Sequence, residues 1–155
     1  MKPDAIDFRL LSLLSEDARM PFSELAKRAG HSETAVRERV KKLEREGVII
    51  AYRMLPDYEK LGLLYFWAHC RFKDYARMDG IEKAICETPN VVYTDRAVGE
   101  TGLGIDFVYP CPRELEAYLE GLQKKFPDDI REIEYVTVLD NVKVKYFPEE
   151  FAVKE

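Results

Sequence analysis

Residues 30–49 read GHSETAVRERVKKLEREGVI, and this stretch decides the fold of the N-terminal part of the chain. Val36, Val40 and Leu43 recur at the spacing of one helix face, which predicts a helix with a buried apolar stripe. Ser32 is a favourable N-cap for this helix, and the glycine before it suits a tight turn. A second glycine follows the last apolar position and is expected to end the helix.

Two shorter helices are predicted ahead of this one. Ile6, Leu10 and Leu14 recur at helical spacing, so roughly residues 4–17 form an amphipathic helix. Pro21 interrupts that pattern, and a second helix follows until Gly30. Apolar residues over 48–54 suggest a short β-ribbon after the third helix. Short helices joined by a glycine-containing turn, followed by a ribbon, describe a winged helix-turn-helix.

The exposed face of the third helix carries the groups expected to contact DNA. Its N-terminal turn, residues 32–38, is the part that enters the major groove in such folds. Thr34, Arg37 and Glu38 are the donors and acceptors available there for base edges. A basic but merely solvated face of a three-helix bundle is the alternative. The complete predicted DNA-binding set is Ser32, Thr34, Arg37, Glu38, Lys41, Lys42, Arg45 and Arg53.

The distribution of charge matters more than the total. The chain has 155 residues and a net charge of −5, which by itself argues against nucleic acid. Residues 1–53 hold 11 basic and 9 acidic side chains, a net +2, whereas residues 54–155 hold 13 and 20, a net −7. The N-terminal part is therefore suited to DNA, and the acidic remainder is expected to repel it.

Several classes of protein are not favoured by the sequence. The longest apolar runs are too short to span a bilayer, and the N-terminus lacks an apolar signal core, so we expect a cytoplasmic protein with no membrane partner. Cys70, Cys86 and Cys111 are odd in number and widely spaced, which suggests no disulfide framework and no metal site. His69 and Cys70 are adjacent on a predicted strand and point to opposite faces. No catalytic group and no cofactor are expected, and scarce Asn and Gln are typical of a thermophile.

The second part of the chain predicts a ferredoxin-like plait. A polar, glycine-terminated stretch over residues 58–62 reads as a linker, which we place at residues 54–62. Alternating and helical spacings then give the order β-α-β-β-α-β, the order of that plait. The predicted fold class is therefore α+β. Its predicted parts are residues 1–53, a winged helix-turn-helix DNA-binding domain; residues 54–62, the linker; and residues 63–155, a ferredoxin-like regulatory and dimerisation domain.

One face of the predicted sheet is expected to meet a second copy of the chain. Both helices of such a plait cover the same face and leave the other open. Tyr65 and Trp67 fall on the open face, and soluble monomers seldom expose large rings of this kind. The simplest partner is a symmetric copy, so we predict a homodimer. A dimer would also supply two recognition helices for a two-fold operator.

The N-terminal sequence resembles the Lrp/AsnC (feast/famine) family of transcriptional regulators. LSEDAR at residues 14–19 and FSELA at 22–26 look like the opening of that family. Residues 30–49 match its recognition helix almost position for position. The resemblance implies double-stranded operator DNA as the partner, a plait of the type called RAM, and dimers that assemble further.

The resemblance also implies an amino-acid effector. In the family such effectors bind around the turn between the second and third strands, here Gly99, Glu100, Thr101 and Gly102. The usual family turn has a glycine followed closely by an aspartate. In this chain Gly102 occupies roughly the place of that aspartate. Simple turn geometry is the alternative explanation for these glycines.

Two other classes of function share parts of this architecture. Sirohaem decarboxylases are similar to the same family, and they would be expected to place basic and His residues in a plait pocket. The plait here offers only His69 for such a pocket. RNA-recognition plaits share the topology, but the net −7 of residues 54–155 and the lack of their aromatic-rich pattern argue against RNA.

Overall fold

The computed structural model describes residues 2–96, 102–144 and 146–148. They divide into two compact units, one formed by residues 2–55 with 142–144 and 146–148, the other by Pro56–Asn141. Short 3₁₀ turns lie at Glu59–Leu61 and Tyr75–Arg77. The helices and strands are α1 Ala5–Glu16, α2 Phe22–Ala29, α3 Glu33–Arg45, β1 Leu64–Phe72, α4 Met78–Cys86, β2 Val91–Arg96, β3 Gly102–Tyr109, α5 Pro112–Lys125 and β4 Ile130–Val138.

The first unit is the predicted helix-turn-helix. Its α1 begins at a capping box, in which the Asp4 side chain accepts from the Asp7 N–H at 2.9 Å and Asp7 accepts from the Asp4 N–H at 3.1 Å. The three helices share one apolar core, as the sequence spacing predicts. The buried side chains of that core are Leu10, Leu13, Leu25, Ala26, Val36 and Val40.

The β-ribbon predicted over residues 48–54 does not form. After α3 the described chain has no strand before β1, and residues 50–57 are neither helix nor strand. The N–H groups of Val48 and Ile49 instead donate to the carbonyl of Leu43, at 2.9 and 3.1 Å. A strand needs a neighbour for its backbone groups, and this segment has none among the residues that the structure describes.

The C-terminal residues belong to the helical unit by their contacts. Residues 142–144 and 146–148 group with residues 2–55, although the sequence suggested a regulatory domain running to residue 155. The ring of Phe147 stacks on Phe8, with centroids 5.9 Å apart and planes at 16°. The Ser15 hydroxyl donates to the carbonyl oxygen of Phe147 at 3.5 Å. Aromatic stacking therefore brings the end of the described chain to α1.

The second unit is the predicted ferredoxin-like plait. Its sheet has the order β2-β3-β1-β4 with every pair antiparallel. Ala68 lies at the centre of β1, opposite Ile105 of β3 and Tyr135 of β4. Two strands that are distant in sequence thus flank the first one, which is the arrangement that a split βαβ repeat produces.

Both plait helices pack on one face of the sheet. Ile81 and Ile85 of α4 and Leu115 of α5 share a buried core with alternate residues of β1, such as Phe66 and Phe72. The period of two along β1 places the other side chains on the opposite face. That opposite face keeps Trp67, Tyr93 and Val136 about half exposed, at 45%, 50% and 54%.

Three further observations concern classes of site. Among the residues that the structure describes, no helix combines the length and the apolar character needed to cross the membrane. The three cysteines are free, and burial raises the pKa of the Cys70 thiol to about 12. Within residues 2–96, 102–144 and 146–148, no three His, Cys, Asp or Glu side chains are placed to hold a metal ion.

Candidate nucleic-acid interface

The turn between α2 and α3 is held by backbone hydrogen bonds. Gly30 adopts a left-handed conformation at φ 74°, where glycine pays no Cβ penalty. The His31 N–H then donates to the carbonyl of Ala26 at 3.0 Å, which closes the end of α2. Ser32 caps α3, because its hydroxyl oxygen accepts from the Ala35 N–H at 3.3 Å. The hydroxyl proton of Ser32 stays available to a phosphate.

The buried stripe of α3 leaves its polar face open to solvent. Val36, Val40 and Leu43 are between 0% and 2% exposed, as the sequence spacing predicts. Seven of the eight predicted DNA-binding residues lie on α3 or at its N-cap, and all seven are exposed. Arg53 is also exposed, but it lies beyond α3 in the segment without helix or strand. Those seven predicted residues are Ser32, Thr34, Arg37, Glu38, Lys41, Lys42 and Arg45.

The basic side chains of this face differ in their partners. Arg37 forms an ion pair with Glu33 at 2.8 Å, and Lys41 lies 3.6 Å from a carboxylate oxygen of Glu38. Lys42 and Arg45 have no carboxylate within 4.0 Å in the described part of the chain. Cations without an internal partner lose no ion pair when they contact a phosphate. Lys42 and Arg45 are therefore cations of α3 that form no ion pair with the described residues.

Arg39 is basic and lies on α3, yet it acts inside the protein. Its guanidinium group donates to Asp4 and to Asp7, each at 2.8 Å. Asp7 is buried, with only 8% of its side chain exposed. The Asp7 N–H and then Arg39 hold the pKa of Asp4 below its usual range, while burial opposes the shift. Arg39 thus ties α3 to the start of α1.

The contact of Arg39 with Asp4 and Asp7, called the Arg39 clamp below, was not predicted from the sequence, although the sequence contains a pattern that indicates it. Arg39 sits three residues from Val36 and four from Leu43, which places it at the border of the apolar stripe. A long basic side chain at such a border reaches the neighbouring helix rather than the solvent. The Asp-x-x-Asp pattern at residues 4–7 supplies the two carboxylates.

Tyr52 makes another contact that differs from its predicted place in a ribbon. Its hydroxyl donates to a carboxylate oxygen of Glu44 at 2.8 Å. Burial, followed by the Glu44 carboxylate, raises the pKa of Tyr52 to about 12. The segment after α3 is therefore held against that helix by a side chain instead of by strand pairing.

The predicted effector turn is only partly described. Gly99, Glu100 and Thr101 lie outside the described residues. Gly102 opens β3 and is buried against β1, where a side chain would collide with the carbonyl oxygen of Cys70. It would also approach Nε2 of His69 to 2.8 Å. Close packing therefore accounts for the glycine at position 102.

The two predicted dimer residues have different environments. Trp67 stands on the open face of the sheet with its ring stacked on His69, at 6.2 Å between centroids. Tyr65 is half-buried, stacks on Tyr58 at 5.3 Å and donates to a carboxylate oxygen of Asp106 at 2.6 Å. Burial, opposed by this hydrogen bond, raises the pKa of Asp106 above its usual range. Trp67 is thus the more available of the two rings.

Residues 4–44 match a family profile described as the AsnC-type helix-turn-helix domain. An uncharacterised HTH-type transcriptional regulator of Pyrococcus abyssi is 27% identical over 146 residues, which cover 94% of this chain and 97% of that protein. The HTH-type transcriptional regulator LrpA of Pyrococcus horikoshii is 52% identical over 59 residues. That match covers 38% of this chain and 42% of LrpA.

Solved structures share the whole architecture. An AsnC family regulator from Agrobacterium tumefaciens superposes with a TM-score of 0.78 at 24% identity, over 96% of this chain and 99% of that one. The regulator NMB0573 of Neisseria meningitidis, solved in complex with L-Met, also gives 0.78 at 22% identity, over 96% and 97%. These structures confirm the fold of the chain. The matching profile identifies the N-terminal domain as a helix-turn-helix of the AsnC type. Residues 4–44 thus form an AsnC-type helix-turn-helix domain, and over most of its length the chain is similar to transcriptional regulators of the Lrp/AsnC type.

Proposed function

We propose that this regulator binds double-stranded operator DNA with the N-terminal half of α3 in the major groove. The observation that carries the proposal is the division of α3 into a fully buried stripe and an exposed face of donors, acceptors and cations. Thr34, Arg37 and Glu38 read base edges in this proposal. Ser32, Lys41, Lys42, Arg45 and Arg53 contact phosphates and set the affinity and its salt dependence.

The regulator acts as a homodimer in this proposal. Trp67, Tyr93 and Val136 leave a half-exposed apolar area on the sheet face opposite the helices, which favours a symmetric partner. Ile50 and Met54, at 88% and 83% exposed, add unburied apolar surface in the segment after α3. A dimer presents two copies of α3 to a two-fold operator. Larger assemblies built from such dimers belong to the same proposal.

A small amino-acid-like effector modulates the binding. The turn at Gly99, Glu100, Thr101 and Gly102 is the proposed site, on the basis of the family resemblance. The Neisseria structure, with the same fold, was solved with L-Met. The regulator acts in the cytoplasm, where its operator is, and it binds rather than transforms its ligands. The relatives named as transcriptional regulators support this choice over an enzyme.

Selection from genomic DNA fragments tests the proposal. The purified protein is incubated with the fragments, with and without pooled amino acids, and the bound DNA is sequenced. We expect enrichment of a motif with two-fold symmetry and a change in enrichment when amino acids are present. Failure to enrich any motif in either condition would contradict operator binding.

A matched pair of variants assigns the binding to α3. Replacing Lys42 and Arg45 with alanine removes from α3 two cations that form no ion pair with the described residues. Replacing Lys124 and Lys125 with alanine removes the same charge from α5 of the plait. We expect the first variant to lose most of the enrichment at physiological salt and the second to keep it. Equal losses would contradict the assignment to α3.

A further inference from the structure

The Arg37 side chain is held at two points before any DNA is present. Its guanidinium carbon lies 4.3 Å from the centroid of the Phe22 ring. One terminal nitrogen, Nη2, donates to Oε1 of Glu33 at 2.8 Å. Lys42 and Arg45, on the same helix, have no comparable partner among the described residues. Arg37 is therefore held by two partners, whereas Lys41, in the described part of the chain, is held by Glu38 alone.

Phe22 is a rigid platform for this contact. It is the first residue of α2, and it is half-buried against the apolar core that α1, α2 and α3 share. A ring anchored in a core cannot follow the motion of the arginine above it. The attraction between a guanidinium group and an aromatic face therefore orients the plane of the Arg37 side chain.

The two contacts leave the reading edge of Arg37 free. Glu33 accepts from Nη2 only, and Phe22 covers one face of the guanidinium plane. The other N–H groups of the guanidinium have no hydrogen-bond acceptor among the residues that the structure describes. Two such groups match O6 and N7 of guanine in the major groove, which is a common specific contact of arginine. About half of the Arg37 side chain is exposed, at 44%.

We propose that Phe22 and Glu33 are positioning residues that pre-order Arg37 to read a guanine. This inference rests on the proposed function, because it needs α3 in the major groove. A free arginine loses side-chain freedom when it is fixed on a base, whereas a pre-ordered one has already lost it. Phe22 and Glu33 thus contribute to selectivity without touching DNA.

The test compares Phe22→Leu with Phe22→Tyr in the full-length protein. Leucine keeps an apolar side chain against the core but lacks an aromatic face, whereas tyrosine keeps the ring. Arg37→Ala first identifies the guanine position in the selected operator. The readout is the ratio of affinities for double-stranded oligonucleotides with the original base pair and with A·T at that position. Thermal unfolding of each variant confirms that it is folded.

We expect Phe22→Leu to lower the ratio by about two- to tenfold and Phe22→Tyr to leave it unchanged. Glu33→Ala should act like Phe22→Leu, and Glu33→Gln, which keeps an acceptor oxygen, should not. In the Arg37→Ala background, Phe22→Leu should have no further effect on the ratio. That coupling separates positioning from a purely structural role, which would lower affinity for both oligonucleotides equally.

The failures of the two hypotheses are distinguishable. A wild-type protein that enriches no motif overturns the proposed function, and this inference with it. A protein that selects an operator, with Phe22→Leu leaving the ratio unchanged, overturns the inference alone. The inference alone is also overturned if Arg37→Ala leaves the preference for guanine unchanged at every operator position. It is overturned as well if Phe22→Leu lowers the affinity ratio by the same factor with and without Arg37.

Discussion

Neighbouring basic residues of α3 have different tasks because their surroundings differ. Arg39 faces Asp4 and a buried Asp7, Arg37 lies over Phe22, and Lys42 has no internal carboxylate partner in the described chain. Their side chains carry the same charge. Their positions along α3 point the three side chains in different directions around the helix axis, so each side chain meets different neighbours. Net charge alone therefore overstates the number of cations available to DNA.

Arg39→Ala is expected to destabilise the helical unit. Among the described residues, the substitution leaves the buried Asp7 carboxylate with the Asp4 N–H as its one donor, at 3.1 Å. Removing one partner of a buried charged group costs about 1–3 kcal/mol. Urea-induced unfolding measures the change. Arg45→Ala, at an exposed position without an ion pair in the described chain, is the control and should change stability by less than about 0.5 kcal/mol. Equal effects would contradict the clamp.

The stability of the helical unit should fall at acidic pH through Asp4. The pKa of Asp4 is lowered in the folded protein, first by the Asp7 N–H and then by Arg39. A depressed carboxyl pKa gives stability that is complete above the unfolded pKa, about 3.9, and is lost as the pH falls through the folded value. Asp4→Asn keeps a capping oxygen without the charge.

The measurement is the unfolding midpoint of wild type and Asp4→Asn from about pH 6 to about pH 2. We expect the variant to be less stable at the upper end and the two curves to converge at the lower end. A difference that stays constant over the whole range would show that the charge of Asp4 contributes nothing.

Lys42→Ala should reduce the salt dependence of operator binding. An unpaired cation that neutralises one phosphate contributes about one unit to the slope of log affinity against log salt. The loss should be the same for cognate and unrelated DNA, because phosphates carry no sequence information. Lys124→Ala on α5, whose side chain pairs with Glu120, is the control. An unchanged slope for Lys42→Ala would exclude this residue from the phosphate contacts.

At the scale of elements, two glycines of β3 should differ in how well they tolerate substitution by alanine. A side chain at Gly102 meets the backbone carbonyl of Cys70, which cannot move without disturbing β1. A side chain at Gly104 meets Oδ1 of Asp95 at 2.5 Å, the end of a side chain that can rotate away. Gly102→Ala should therefore destabilise the plait by about 1–3 kcal/mol, and Gly104→Ala by much less. Thermal unfolding of both variants measures this, and the reverse order would contradict the packing argument.

Much of the element structure was predictable because it depends on local periodicity. Val36, Val40 and Leu43 are buried as their spacing indicates, and the alternation along β1 matches its two faces. The prediction of a β-ribbon over residues 48–54 was wrong. Apolar residues there indicate a preference for extended backbone, but a strand also needs a partner strand to pair with. The Arg39 clamp and the Phe22–Arg37 stack join residues far apart in sequence. Their geometry depends on helix packing, which spacing alone does not give.

At the scale of the molecule, the open sheet face should control assembly. Trp67→Glu places a charge among the exposed apolar side chains opposite the helices, and a desolvated charge without a partner opposes association. We expect wild type to sediment as a dimer at micromolar concentration and the variant as a monomer. Ala117→Glu adds the same charge at an exposed position of α5 and should leave the dimer intact. A dimeric Trp67→Glu protein would exclude this face.

The order in which the chain is made has a consequence for the helical unit. Phe8 is near the start of the chain, but its stacking partner Phe147 follows the whole plait. On the ribosome, α1, α2 and α3 are synthesised well before that partner exists. The helical unit therefore gains this contact only after the plait has been synthesised, so a chain released before residue 147 would carry α3 without the ring that packs on α1.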